Sequence, residues 1–282
     1  MNPGVRLTAE TITLTEEKET LLITLYGKAG ESHLPDSLLK DHFAAEAVSK
    51  IDYDFSKLKL DRDLMIGVAM RAHILDGWTR EFLKRYPDAT VLHLGCGLDS
   101  RVFRIDPGPG IRWFDVDYPE VVALRRKLYP QRDNYTLIGS SVTDPAWLEA
   151  IPQDKPTMIV AEGLLPYLLP EEVHRLLQRL TAHLPRGELA FDGYSNLGLK
   201  FLRNLPSVRA TGAKLLWPLD DPRELEQQVP KLRLLNEFLA YDPKGYDPEQ
   251  VSRMSWLARL TIHVFAMIPP LARMGRLLHY RF

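Results

Sequence analysis

The stretch Val91–Arg101, "VLHLGCGLDSR", sets the chain's single cysteine between two glycines, Gly95 and Gly97, directly behind a short apolar run. Glycine has no Cβ, so a ligand can lie close against such a turn. Asp117 follows 20 residues after Gly97, at the end of a second apolar run in "IRWFDVDYPE". In nucleoside-binding α/β folds that spacing brings an acid to the ribose hydroxyls. A carboxylate suits the place because it accepts both hydrogens of a vicinal diol. The chemistry these residues offer is nucleoside recognition, although a "GCG" by itself is also compatible with a tight turn and nothing more.

The rest of the loop bears on which nucleoside. A dinucleotide fingerprint reads Gly-x-Gly-x-x-Gly and seats a pyrophosphate on a helix N-terminus. Here the third glycine is replaced by Ser100, and Asp99 stands beside it. An acid there repels a pyrophosphate but tolerates a sulfonium or an ammonium. No Gly-Lys-Ser/Thr follows, which argues against a P-loop. S-adenosylmethionine therefore fits better than a nicotinamide dinucleotide. A nicotinamide-dependent oxidoreductase and a non-catalytic cofactor-binding scaffold on the same fold stand as alternatives.

The elements around these residues form a consistent frame. "TVLHL" (90–94), "IRWFDV" (111–116), "YTLIG" (135–139), "TMIVA" (157–161) and "ELAFDG" (188–193) read as buried strands. Helical segments such as "PEVVALRRKLY" and "PEEVHRLLQRLTAHL" alternate with them, which implies a parallel sheet covered on both faces. Before residue 90 the chain reads as helix. The expected signals are Thr15 as an N-cap and Gly30 as a C-cap, Asp36 capping a second helix, and a long helix over "DRDLMIGVAMRAHILDGWTREFLKRY". Residues 194–230 keep no period. "LRLLNEFLAYD" (232–242) reads as strand or short helix, and "GRLLHYRF" (275–282) as a closing edge strand in a last β-hairpin.

Composition narrows the class. The 282 residues are 45% hydrophobic and carry 36 Lys+Arg against 37 Asp+Glu, so no global charge draws the chain to nucleic acid or membrane. One cysteine excludes an internal disulfide and suits a cytoplasmic protein. There is no apolar run long enough for a membrane span, and the histidine spacings match no metal motif. "RRK" (125–127) reads as the solvent side of a helix, while Trp217, Met254 and Trp256 read equally as lid or core.

Taken in order, "VLHLGCGLDSRVFRI", "WFDVDYPEVVALRRKL", "LIGSSVTDPAWLEAI" and "IVAEGLLPYLLPEEVHRLL" resemble the leucine carboxyl methyltransferase-like family of class I S-adenosylmethionine enzymes. Within it the likeness is to the bacterial branch of polyketide O-methylation, and it runs from "ETLLITLYGKA" to "HYRF". The resemblance implies a Rossmann-like α/β fold with a mostly parallel seven-stranded sheet. Residues 1–88 would form an N-terminal helical cap and 89–282 the cofactor-binding domain, with a lid insertion at about 194–230 before the last two strands. It also implies that Arg71, in "VAMRAHILD", meets the methionine carboxylate of the cofactor. Gly95, with Cys96 and Gly97, would lie under the methionine, Asp117 on the ribose, and Glu162 of "AEG" near the amino-acid end. Ser141 and Val142 match the adenine-binding pair. Ser141 departs from the usual Asp and offers an uncharged acceptor in its place.

Such an enzyme aligns an acceptor with an activated methyl and excludes water. A carboxylate acceptor is ionised at pH 7, whereas a phenol, with a pKa of about 10, gains from a base. Tyr167 in "EGLLPYL", and Asp192 and Tyr194 at the end of the fifth strand, are the substrate-side candidates. Their plainer readings are a packed aromatic and a loop cap. The expected partner is a small-molecule acceptor of polyketide type.

Overall fold

The computed structural model describes residues 10–11, 20–241 and 248–282. Two short strands, β1 (Glu10–Thr11) and β2 (Ile51–Asp52), pair in parallel. The main sheet holds β3 (Thr90–Leu94), β4 (Arg112–Asp117), β5 (Tyr135–Gly139), β6 (Thr157–Ala161), β7 (Gly187–Tyr194), β8 (Arg233–Leu239) and β9 (Gly275–Arg281). Their order is β5-β4-β3-β6-β7-β9-β8, parallel from β5 to β7, with β9 antiparallel to both neighbours. Strand order reverses at β3, between β4 and β6. The crevice beyond the carboxyl ends of β3, β4 and β6 is where such sheets bind ligands.

The helices are α1 (Thr20–Ser32), α2 (His42–Lys50), α3 (Arg62–Arg85), α4 (Arg101–Ile105), α5 (Pro119–Leu128) and α6 (Pro170–His183), followed by α7 (Asn196–Arg203), α8 (Pro206–Thr211), α9 (Glu224–Gln228), α10 (Pro248–Ser252), α11 (Trp256–Ala266) and α12 (Pro269–Ala272). Alternate strand residues feed two cores, as the period of two requires. Leu92, Phe114, Ile159 and Phe191 pack against Val173, Leu177 and Leu180 of α6. Val91, Trp113, Met158 and Ala190 pack against Leu75, Trp78 and Phe82 of α3. A third core joins Leu22, Leu25 and Ala29 of α1 to Ala44 and Ala47 of α2 and to Leu98, Leu124 and Leu128, setting these two helices over the glycine turn.

Several local expectations change. Thr15 lies outside the described residues. Gly30 is inside α1, where a Cβ would stand 2.5 Å from Met65 Sδ, so its role is close packing against α3 rather than capping. The N-cap of α2 is Asp41, which accepts from the Ala44 N–H at 2.9 Å. Asp36 is displaced because the next residues wrap around buried Glu31, whose carboxylate accepts from Leu38 N–H at 2.6 Å and from Ser37 Oγ at 3.0 Å. The segment 232–242 supplies a strand, β8. It is β9's antiparallel neighbour, but α10–α12 separate the two in sequence, so no tight hairpin forms. Arg125 is fully buried and not on the solvent side. It donates to the Gly97 and Asp99 carbonyls, both at 2.9 Å, and pairs with Asp115 at 2.5 Å, tying α5 to the glycine turn. Trp217 is core, Trp256 is exposed, and Met254 lines a cavity described below.

Candidate active site

After β3 the chain turns through Gly95 (φ +58°) and Gly97 (φ +49°), both in the left-handed region that favours glycine. A Cβ on Gly95 would stand 2.8 Å from Leu164 Cδ1, and one on Gly97 3.3 Å from Leu21 Cβ. Backbone conformation and protein neighbours therefore demand these glycines, rather than only open room for a ligand. Cys96 between them is buried, and burial pushes its thiol well above the ordinary value, so it is not a nucleophile.

Asp117 ends β4 and reaches back to this turn. Its Oδ2 accepts from Gly97 N–H and its Oδ1 from Tyr118 N–H, both at 2.7 Å. Burial raises its pKa, and the two N–H groups pull the other way. Each oxygen keeps acceptor capacity for a ligand. Beyond β5, Ser141 Oγ is engaged locally, 2.8 Å from Thr143 Oγ1. The Val142 N–H has no hydrogen-bond partner among the described residues.

Glu162, just after β6, is the centre of a buried charge cluster. Lys28 Nζ lies 3.1 Å from its Oε1, Arg71 Nη2 3.1 Å from the same oxygen, and Arg101 pairs with Oε2. Burial works to raise the Glu162 pKa, but Lys28, Arg71 and Arg101 together outweigh it and hold the carboxyl well below the usual range. Lys28 also meets Asp99 at 2.9 Å, as does Arg104. Arg101 and Arg104 share Asp76, each at 2.7 Å. Lys28, Arg101, Arg104 and Asp76 were not singled out from the sequence. One signal for Lys28 existed: it falls seven residues after Leu21 and three after Leu25, on the apolar side of α1, where a charge needs a buried partner.

Arg71 also faces the other way. Its Nη1 donates to Asp192 Oδ2 at 3.0 Å and to the Tyr194 hydroxyl at 3.3 Å, while Tyr194 itself donates to Asp192 Oδ2 at 3.0 Å. Gly163 N–H donates to Asp192 Oδ1 at 2.6 Å. Burial, then the Asp192 charge, raises the Tyr194 pKa well above the ordinary phenol value, so its hydroxyl stays protonated.

Two cavities lie against this cluster. The first, about 330 Å³, is lined by Arg71, Gly95, Cys96, Gly97, Asp117, Ser141, Val142 and Glu162, and also by Lys28. These include every residue singled out for a nucleoside. The second, about 370 Å³, takes Tyr167, Asp192 and Tyr194 together with a mainly apolar wall that includes Met70, Leu202, Leu205, Met254 and Ile262. Thr20, Thr24, Arg71, Gly163 and Tyr167 line both.

The family model of leucine carboxyl methyltransferase matches residues 22–181, from α1 to α6. The chain belongs to that family. It is 42% identical over 274 residues to TcmP, the tetracenomycin polyketide synthesis O-methyltransferase of Streptomyces glaucescens, covering 97% of this chain and 99% of the relative. It is 36% identical over 283 residues to the S-adenosyl-L-methionine-dependent methyltransferase dpfgK of Gibberella zeae, covering 93% of each. A solved candidate methyltransferase from Thermobifida fusca YX matches with a TM-score of 0.58 at 20% identity, over 85% of this chain and 92% of its own, a likeness of fold. This family member is an S-adenosylmethionine-dependent methyltransferase with a Rossmann-like sheet, and the nicotinamide and scaffold alternatives fall away. Asp99 is not the free acid that the sequence suggested, since Lys28 and Arg104 neutralise it. Among the described residues no helix is long and apolar enough to cross a membrane.

Proposed function

We propose that this methyltransferase acts on an oxygen of a small, apolar, polyketide-type acceptor seated in the second cavity, with a carboxylate as the favoured nucleophile. The observation that carries this reading is the pair of abutting cavities. One is lined by polar groups suited to a nucleoside, and the other is mainly apolar, with Arg71, Gly163 and Tyr167 at their junction.

The first cavity has the size of a small-molecule site, and its donor set fits S-adenosylmethionine. In this reading Arg71 and Glu162 hold the amino-acid end, beside the turn of Gly95, Cys96 and Gly97. The lone pairs left on Asp117 take the ribose hydroxyls. Ser141 and the unpartnered Val142 N–H take the adenine. When bound, S-adenosylmethionine supplies a methyl group already activated on a sulfonium.

The chain's own residues orient the acceptor and exclude water. Tyr167 stands at the junction and orients the acceptor. Asp192 is engaged by Gly163 on one oxygen and by Arg71 and Tyr194 on the other, and its role is to position Arg71 and the turn after β6. Asp63, the other acid on the second cavity's wall, accepts from the Ser255 N–H at 2.8 Å and its hydroxyl at 2.5 Å. No histidine lines that cavity among the described residues. An acceptor already ionised at neutral pH needs no base, and that favours a carboxylate over a phenol. The same reading takes the described helices α1–α3, within residues 1–88, as a cap that closes the cofactor cavity through α1. It takes 194–230 as a lid, with Leu202, Leu205 and Leu215 on the acceptor.

The test pairs aromatic polyketide-like acids with their phenol counterparts and follows label from S-adenosylmethionine. The expected result is methyl ester formation at a rate nearly flat between about pH 6 and 8, where a carboxylate stays ionised. Turnover of the phenols alone would overturn the carboxylate reading. Cofactor binding without turnover of any member would overturn the acceptor class.

A further inference from the structure

The two excursions that wall the second cavity have an unusual charge content. Residues 195–219 and 250–276 carry four Lys/Arg each and no Asp or Glu, in a chain whose net charge is −1. Arg253 is held by Glu31 and Asp36, and Arg276 by Glu237. Arg203 donates to the Leu215 carbonyl and Lys214 lines the first cavity, whereas Lys200, Arg209, Arg259 and Arg273 are exposed.

The same surface is apolar along one line. On α11, Trp256 is 69% exposed, and Leu257, Leu260 and Val264 follow at helical spacing. Met267, 73% exposed, and Ile268 extend the stripe towards α12. Leu197 and Phe201 of α7, which packs against α12, are exposed as well. The opposite side of α11 buries Ile262, which lines the second cavity. A monomer rarely leaves so continuous an apolar line in water.

We infer that this basic, apolar face lies on an anionic lipid surface, with the α11 stripe sunk among the acyl chains and the cations over the headgroups. Tryptophan and leucines along one face of α11, with Arg259 on its flank, match the apolar side of helices that lie in the membrane interface. Each lysine or arginine near an anionic leaflet adds to the attraction. A second copy fits worse. A twofold interface sets a patch against itself, so two copies of these excursions, which hold no acid of their own, would face each other with like charge, while the acids at their margin, Asp63 and Asp220, are engaged by Ser255 and Asn196. Trp256 and Met267 are the most exposed of these side chains, and a fluid interface can mould around them without a preformed groove. An apolar acceptor dissolved in the bilayer would then reach the second cavity past Met254 and Ile262. That corollary rests on the acceptor reading above, whereas the lipid contact does not.

The test is co-sedimentation of the full chain with phosphatidylcholine vesicles, with and without phosphatidylglycerol. Calorimetric binding of S-adenosylmethionine serves as a separate check of folding and of the cofactor site. The expected result is binding about tenfold stronger with the anionic lipid. Either W256S/M267S or K200Q/R259Q/R273Q should weaken it about tenfold, with cofactor binding unchanged. Three outcomes would overturn the inference: no sedimentation with anionic vesicles, sedimentation unmoved by both variants, or a dimer in sedimentation velocity that W256S/M267S dissolves.

Discussion

Replacing Asp117 with asparagine should separate cofactor binding from stability. The carboxylate takes the Gly97 and Tyr118 N–H groups at 2.7 Å, one on each oxygen. An amide keeps one acceptor oxygen, and its NH₂ must face the other N–H, donor against donor. It would also offer a donor where a ribose hydroxyl is proposed to donate. A hydrogen bond to a charged acceptor contributes about 1.5–3 kcal/mol, so Asp117→Asn should raise the Kd for S-adenosylmethionine roughly 10–100-fold. Stability should respond differently. Burial lifts the folded-state pKa of Asp117 above its unfolded value. Protonation therefore favours the fold, and this contribution is lost as pH rises through the folded pKa. At neutral pH the ionised group is held at a cost that asparagine removes, offsetting the N–H bond it loses. The melting temperature of the cofactor-free protein should move by only a few degrees. Calorimetry with S-adenosylmethionine and S-adenosylhomocysteine, run beside thermal melts, reads both quantities. A Kd within twofold of wild type, with or without a large fall in melting temperature, would refute the ribose role and leave Asp117 a clamp on the glycine turn.

Three further outcomes are expected. Glu162→Gln leaves Lys28, Arg71 and Arg101 short of a buried counter-charge and should destabilise by about 3–5 kcal/mol. Glu162 and Asp99 have folded pKa values held below the ordinary range. Their stabilisation is present above the unfolded carboxylate pKa of about 4 and lost as pH falls through the folded values. Urea midpoints should thus drop on acidification, less steeply in Glu162→Gln, and identical pH slopes would contradict this account. Gly95→Ala meets both a left-handed backbone and Leu164 at 2.8 Å, so urea unfolding should show a loss of about 2 kcal/mol; an unchanged midpoint would mean that the turn relaxes freely. Tyr167→Phe should lower kcat/KM about tenfold on an accepted substrate through a lost orienting contact, with cofactor Kd unchanged, and unaltered kinetics would remove the role given to this hydroxyl.

Local sequence carried the strand–helix alternation, because a sheet buried on both faces must be written as short apolar runs. It also carried the glycine turn and Asp117, since the distance between one strand end and the next is nearly constant in this kind of fold. Even there, Gly95 answers to Leu164 from the turn after β6, a neighbour that no local pattern announces. Arg125 looked like one of three solvated cations and is fully buried, because its partners come from β4 and the glycine turn. Lys28, Arg71, Arg101, Glu162 and Asp192 converge from α1, α3, α4, the turn after β6, and β7, and only the packing of α1 and α3 over the sheet joins them into one cluster. The near-zero net charge averaged away two basic, acid-free excursions far apart in the chain. Periodicity and loop spacing are local, so sequence alone determined the elements and the glycine turn. Charge pairing, cavity walls and exposed faces depend on which distant segments meet, so only the tertiary structure decided them.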